Sequence, residues 1–228
     1  MKLSFTLLPH EQSEQTISLE VTEGLVAGWA GRDMAAIEEH IEELADLGVP
    51  RPSAVPLFYR IGSNQFIQSP NIQVVGTETS GEAEAVVFMH DGELLVSLSS
   101  DHTDRKLETH SVALSKQICP KPVARTAWRL QDVQTHWDEI QLRAWIEEDG
   151  KEVLYQEGTL GSLLAPQALI QDFFKQATMR EGAIMTCGTV AAIGGIRPSS
   201  KFRMELLDPV LNRRIQHEYT ITPLPEIA

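Results

Sequence analysis

Cysteine is nearly missing from this 228-residue chain: only Cys119 and Cys187 occur, far apart, so no disulfide framework is implied. No apolar run approaches the roughly 20 residues of a membrane span. The opening Met-Lys-Leu-Ser-Phe-Thr-Leu-Leu-Pro alternates like a strand and lacks a signal-peptide cleavage pattern. The expected setting is cytoplasmic, with no membrane partner. Basic residues are scarce, 19 Lys and Arg against 32 Asp and Glu, for a net charge of −13. Phosphate binding needs a basic surface, so nucleic acid is excluded as a partner. Repeats, low-complexity stretches and Pro/Gly/Ser linkers are absent, and an apolar content of 42% suits one substantial core. The expectation is a single domain over residues 1–228, with residues 1–55 as the candidate for a small N-terminal cap or lid. Hydrolase signatures are missing too: there is no Gly-x-Ser-x-Gly, and Cys119 has no obvious histidine partner.

What is present is strand-rich. Residues 2–8 and 16–21 read as short strands. Asp33 is a plausible N-cap for a helix over 34–47, whose Ile37, Ile41 and Leu44 share a face and whose pattern stops at Gly48. Pro50, Pro52 and Pro56 impose an extended connection. From Leu57 to Leu98 the pattern is short strands broken by glycines, with Asp91-Gly92 a hairpin signal. A loop at His102 leads into a helix running through Leu107, His110, Val112 and Leu114. Further strands are predicted over 140–146, 153–157, 183–185 and 214–221, and a helix over 166–177. The class is α+β, rich in β.

Glu82-Ala-Glu84 is the most informative feature. Side chains two apart on a strand leave the same face, roughly 7 Å apart. Alone, the pair reads more economically as the solvated face of an amphipathic strand. Three neighbours argue otherwise: two alanines that pack tightly behind the glutamates, the dense polar segment Ser100-Asp-His-Thr-Asp-Arg105, and a lone Lys116 before apolar Ile118-Cys119-Pro120. Glu82, Glu84 and Asp101 together would suit Mg²⁺ or Mn²⁺, which keep open positions for an oxygen substrate. His102 is better read as a hydrogen-bonding partner than as a ligand.

Two other constellations carry chemistry. His40 and Glu43 stand at i and i+3 on the first helix, where a carboxylate can orient an imidazole that acts as general base on water. Spacing alone favours an ordinary solvated helix face. The stretch from Gly182 to Arg197, with Gly188-Thr189 and Gly194-Gly195, offers backbone N–H groups to an anion. It lacks the spacing and lysine of a P-loop. Structural turn and substrate-carboxylate cradle are equally good readings.

In this order the pieces resemble the fumarylacetoacetate hydrolase-like (FAH) superfamily, over about Leu25 to Leu224. His40-Ile-Glu-Glu43 is similar to the family's lid helix, Val55-Pro-Leu-Phe-Tyr59 to its following strand, and Glu82-Ala-Glu-Ala-Val-Val87 to its metal strand. Ser100–Arg105 resembles the segment giving the third ligand, Ser115-Lys116 the lysine before a Cys-Pro turn, and Met179–Thr189 the Gly-Asp-Val-Ile-x-Thr-Gly-Thr stretch. The chain's Ser-Asp-His-Thr-Asp-Arg and Gly-Gly-Ile-Arg-Pro signatures resemble those of an uncharacterised branch of that superfamily.

The resemblance implies a mixed β-roll or sandwich with a few peripheral helices, commonly a homodimer, acting on a small anionic substrate. It implies metal ligands Glu82, Glu84 and Asp101, catalytic His40, Glu43 and Lys116, and substrate contacts at Thr189, Arg105 and Gly188. The implied reaction is hydrolytic cleavage of a C–C bond in a 2-oxo (diketo) acid through a metal-stabilised enolate. Decarboxylation and hydration or dehydration of an oxo acid use the same site, and a catalytically silent binding domain is the alternative of another class. The sequence departs from the family in a shorter segment between Glu84 and Asp101, a longer lid helix, Val190 in place of proline, and the additional His102 and Asp104.

Overall fold

The computed structural model describes residues 1–46 and 50–227, with the side chains of His40, Leu44 and Asp46 also outside what is described. Two sheets carry the fold. An eight-stranded sheet curls into a half-barrel in the order Gln15–Glu20, Lys2–Leu7, Thr126–Arg129, Glu93–Ser100, Ala83–His90, Ala183–Thr186, Glu23–Gly28, Leu57–Ile61. A five-stranded sheet runs Lys151–Thr159, Gln141–Glu148, Lys201–Asp208, Arg213–Leu224, Asn71–Val75. The resulting α+β, FAH-like architecture is the fold class that the resemblance implies.

Period-2 alternation assigns the faces. Along Ala83–His90, the odd residues Ala83, Ala85, Val87 and Met89 join the larger core, which also holds Leu142, Met204, Leu206 and Ile215 of the second sheet. The even residues Val86 and Phe88 join a second core inside the curl, with Leu3, Phe5, Tyr59 and Phe66. Phe5 stacks on Phe88, their centroids 4.6 Å apart. Each such fully buried side chain contributes about 1.5–3 kcal/mol relative to exposure. Glu84 lies on the even face and is therefore aimed at the inside of the curl.

Of residues 1–55, the candidate cap, the first 28 contribute three strands to the eight-stranded sheet. Asp33 caps the helix Met34–Asp46, its Oδ1 accepting the N–H groups of Ala35 (3.0 Å) and Ala36 (3.2 Å). The expected stop at Gly48 lies outside the described residues. Three strands of these two sheets go beyond the sequence reading, Glu23–Gly28, Thr126–Arg129 and Lys201–Asp208. The expected helix through Leu107, His110 and Leu114 is two short ones, Arg105–Glu108 and Val112–Gln117, because Ser111 takes an extended conformation and caps the second through the Leu114 N–H. No helix among the described residues is long and apolar enough to cross a membrane.

The end of Lys201–Asp208 is tied down by a buried carboxylate. Asp208 Oδ1 accepts the N–H groups of Val210 and Leu211 (both 3.0 Å) and lies 3.0 Å from His136 Nε2, while Oδ2 accepts from Arg213 Nε at 3.2 Å. Burial pushes this carboxyl up, but the Leu211 N–H, His136 and Arg213 outweigh it and hold it below the usual range. A depressed carboxylate contributes stability in full above its unfolded value near about 4, and loses that contribution as pH falls through the folded value. Asp208→Ala is expected to cost about 3 kcal/mol at pH 7, since it strands Arg213. Urea denaturation at pH 7 and pH 3 checks this. The deficit should shrink at the lower pH, and an equal deficit at both would show that the charge is not its source.

Candidate metal centre

The carboxylates converge because of a hairpin. Asp91 and Gly92, both at positive φ (50° and 78°), make the two-residue turn between Ala83–His90 and Glu93–Ser100. His90 then faces Glu93 and Ala83 faces Ser100. The ladder continues one rung further, with the Asp101 N–H donating to Glu82 O at 2.9 Å. Glu82 and Asp101 therefore stand opposite each other, and Glu84 follows on the same face. One carboxylate oxygen of each lies within 4.8 Å of those of the other two. Glu82 stands immediately before the strand rather than within it, half-buried, whereas Glu84 and Asp101 are buried at 2% and 0% exposure.

Cations enclose this cluster. The helix Val112–Gln117 turns Ser115 and Lys116 inward. The Lys116 ammonium pairs with Asp101 Oδ2, stands 3.6 Å from Glu82 Oε2, and lies 5.8 Å from the centre of the Tyr59 ring. Burial disfavours its charge, but Asp101 and Glu82 more than offset this and raise its pKa, so it is a fixed cation rather than a base. Lys121 reads in the sequence as a loop lysine between two prolines, with no sign of a role at the site. It is wholly buried, and its Nζ donates to the carbonyls of His102 (2.7 Å), Lys116 (2.5 Å) and Cys119 (3.1 Å). Its three N–H groups are thus spent. It stands 3.1 Å from Asp101 Oδ1, yet among the described residues that buried oxygen accepts no hydrogen bond. Burial raises the Asp101 pKa, but Lys116 and Lys121 pull it down to about 2, so Asp101 is an anion.

Arg105 is committed to the same cluster. Its Nη2 donates to Glu82 Oε1 (2.8 Å), its Nη1 to Glu108 Oε2 (2.9 Å) and its Nε to Ser80 Oγ (2.7 Å). Burial pushes the Glu82 carboxyl up, and Arg105 with Lys116 overcomes this and leaves it below its usual range. Among the described residues, Glu84 forms no ion pair. Its Oε2 accepts the Gly188 N–H at 2.8 Å, and burial followed by the charges of Asp101 and Glu82 raises its carboxyl well above the ordinary value.

The rest of the Ser100–Arg105 segment is structural. His102 is buried between Tyr219 OH (Nδ1, 3.0 Å) and Thr79 Oγ1 (Nε2, 2.8 Å). Burial, then Lys121 and Arg105, lower its pKa to about 3, which leaves it neutral. Asp104 caps the Arg105–Glu108 helix through the Leu107 N–H at 2.9 Å. Of the proposed substrate contacts, Thr189 donates its hydroxyl to Ala83 O at 2.7 Å, and Gly188 gives its N–H to Glu84. Gly188 sits at φ +90°, and a Cβ there would come within 2.9 Å of the Ala30 Cβ, so glycine is required at this close approach. These two residues and Arg105 brace the acidic cluster. His40 and Glu43 lie on the helix Met34–Asp46. Glu43 is exposed, and the His40 side chain is outside the described residues.

The donor set fits a hard divalent ion. All three ligands are oxygens, Asp101 Oδ1 accepts no hydrogen bond among the described residues, and Glu84, whose carboxyl is pushed up by burial and its acidic neighbours, is a group that a bound cation would return to its charged form. A second group, His90, Asp91 and Glu181, also brings ligand atoms within 4.8 Å, but Asp91 and Glu181 are exposed and Glu181 Oε1 already accepts the Asp91 N–H.

The model of a family described as proteins of unknown function, DUF2848, matches residues 27–219, and the chain belongs to that family. No curated protein matches it in sequence. Among solved structures, Cg1458 is similar at a TM-score of 0.63 and 14% identity, covering 94% of this chain and 83% of that one. A 2-keto-3-deoxy-D-arabinonate dehydratase complexed with magnesium and 2,5-dioxopentanoate is similar at a TM-score of 0.64 and 12% identity, covering 95% of this chain and 79% of that one. At these identities the likeness is one of fold.

Proposed function

We propose that this protein is a divalent-metal-dependent enzyme acting on a small 2-oxo acid, with Glu82, Glu84 and Asp101 holding Mg²⁺ or Mn²⁺. The observation that carries this reading is the triad of carboxylates within 4.8 Å of one another, two of them buried and Glu82 half-buried, with the ammonium of Lys116 at its edge. The bound cation would supply Lewis acidity to a 2-oxo carboxylate. Lys116 then supplies a fixed positive charge where negative charge develops on the oxo oxygen, typically a large catalytic contribution. Arg105 holds Glu82, and the Gly188 N–H holds Glu84, so the ligand oxygens need little reorganisation.

Stabilising charge on that oxygen serves more than one reaction. In hydrolysis, water adds to a neighbouring carbonyl, the C–C bond breaks, and the 2-oxo acid fragment takes a proton at carbon, with His40 and Glu43 as the candidate pair for activating the water. Dehydration is the second reading, and the magnesium-complexed dehydratase of the same fold favours it. The Ser100–Arg105 segment would mark a branch in which His102 and Asp104 are structural additions around Asp101. A panel of acylpyruvates, oxaloacetate and 3-deoxy-2-oxo sugar acids, run with metal-stripped and Mg²⁺- or Mn²⁺-loaded protein, tests the proposal. Metal-dependent consumption of at least one class is expected. No turnover combined with no divalent-ion binding would leave a silent binding domain.

A further inference from the structure

The strand that carries the glutamates loses a neighbour where it matters most. Ala183–Thr186 pairs with Val86, Val87 and Phe88, and its last ladder bond is from the Cys187 N–H to Ala85 O at 2.9 Å. Gly188 then turns the chain away, and its N–H goes to the Glu84 carboxylate instead of to the strand. Ala83, which separates Glu82 from Glu84, is left with a buried N–H and C=O that no strand satisfies on that side. Buried backbone groups without partners are costly, so something must replace the ladder.

Two side chains do so. Gln156, on Lys151–Thr159 of the other sheet and only 2% exposed, accepts the Ala83 N–H at Oε1 (2.9 Å). Its Nε2 donates to Thr189 Oγ1 (2.8 Å) and to Val190 O (2.6 Å). Thr189 passes its own proton to Ala83 O at 2.7 Å. The amide of Gln156 and the hydroxyl of Thr189 together imitate one rung of a missing strand. Both ends of that rung sit on the single residue between two ligands, and the loop they gather in contains the N–H that holds Glu84. Every hydrogen-bonding direction of the amide nitrogen is used within this motif, which leaves it nothing to offer a substrate.

The geometry points to Gln156 as a positioning residue of the metal centre. It fixes the spacing of Glu82 and Glu84 through Ala83, from the opposite sheet and without touching the ion. This inference rests on the metal reading above. Groups that orient ligands in this way are worth about 10- to 100-fold in metal affinity. Gln156→Leu is therefore expected to weaken Mn²⁺ binding at least about tenfold by calorimetry, with a changed electron paramagnetic resonance line shape for the bound ion. Thr189→Val should weaken binding in the same direction, and the double variant should be hardly worse than Gln156→Leu alone, because both act through Ala83.

Asp208→Ala serves as the control for general destabilisation. It lowers stability elsewhere in the sheet and should bind Mn²⁺ like the wild type. If Gln156→Leu does not fold, the Thr189→Val titration decides the matter by itself. Wild-type Mn²⁺ affinity in the folded variants, or strictly additive losses, would overturn the role of Gln156 while leaving the metal centre intact. A wild-type protein that binds no Mn²⁺ would remove both.

Discussion

Glu84→Gln should abolish tight divalent-ion binding while leaving the ion-free protein as stable as before or more so. Glu84 is buried, receives one N–H from Gly188, and faces the carboxylates of Asp101 and Glu82 without an ion pair among the described residues. Glutamine keeps the shape. Its oxygen can still accept from Gly188, and its NH₂ can donate toward the two acidic neighbours, so repulsion becomes attraction. Relief of about 1 kcal/mol would raise the melting temperature by about 2–4 °C in a chain of this size. The same exchange removes one of three anionic ligands, and Mn²⁺ affinity should fall by more than about 100-fold, with turnover falling alongside. Calorimetric titration and thermal denaturation on one preparation read both effects. A variant that is destabilised, or that retains wild-type affinity, contradicts the assignment of Glu84 as a ligand.

Lys116→Met is expected to separate binding from catalysis. Methionine preserves the unbranched stem beside Tyr59 but deletes the ammonium that pairs with Asp101 and stands 3.6 Å from Glu82. A cation that competes with the metal for these oxygens disappears, so the ion should bind more tightly, by about tenfold. Turnover should fall by about 10²- to 10³-fold, the usual loss when one preorganised group that stabilises an oxyanion is removed. Opposite movements of metal Kd and kcat are the expected signature. Unchanged kcat would mean that Lys116 only neutralises the carboxylates.

Much of the site was legible in the chain. Glutamates two apart in an otherwise apolar run, a hairpin dipeptide at Asp91-Gly92, and an aspartate in a polar segment contain the arrangement. A two-residue turn makes His90 face Glu93, and the same register carried to the end of the strand makes Glu82 face Asp101. Other parts were hidden for identifiable reasons. Lys121 sits in Cys-Pro-Lys-Pro, which reads as surface loop, and only the tertiary structure reveals three carbonyls gathered around it. The resemblance implies a substrate contact at Arg105, and nothing in the sequence signals that its guanidinium pairs with Glu82 and Glu108. Gln156 carries no signal at all, since a polar residue on a strand normally faces water. The strand Lys201–Asp208 does carry one, with Phe202, Met204 and Leu206 alternating into the core.

The tip at Asp91-Gly92 lies eight rungs from Glu82, about 26 Å away at the rise of a strand. Nothing at that distance can touch a ligand, yet its length governs the chemistry. One residue added there moves the returning strand out of phase, so the carboxylate of residue 101 would leave by the wrong side of the sheet. A remote loop of fixed length thus acts as the vernier of the cation site, and changes in its size are not the silent surface events that insertions in exposed loops usually are.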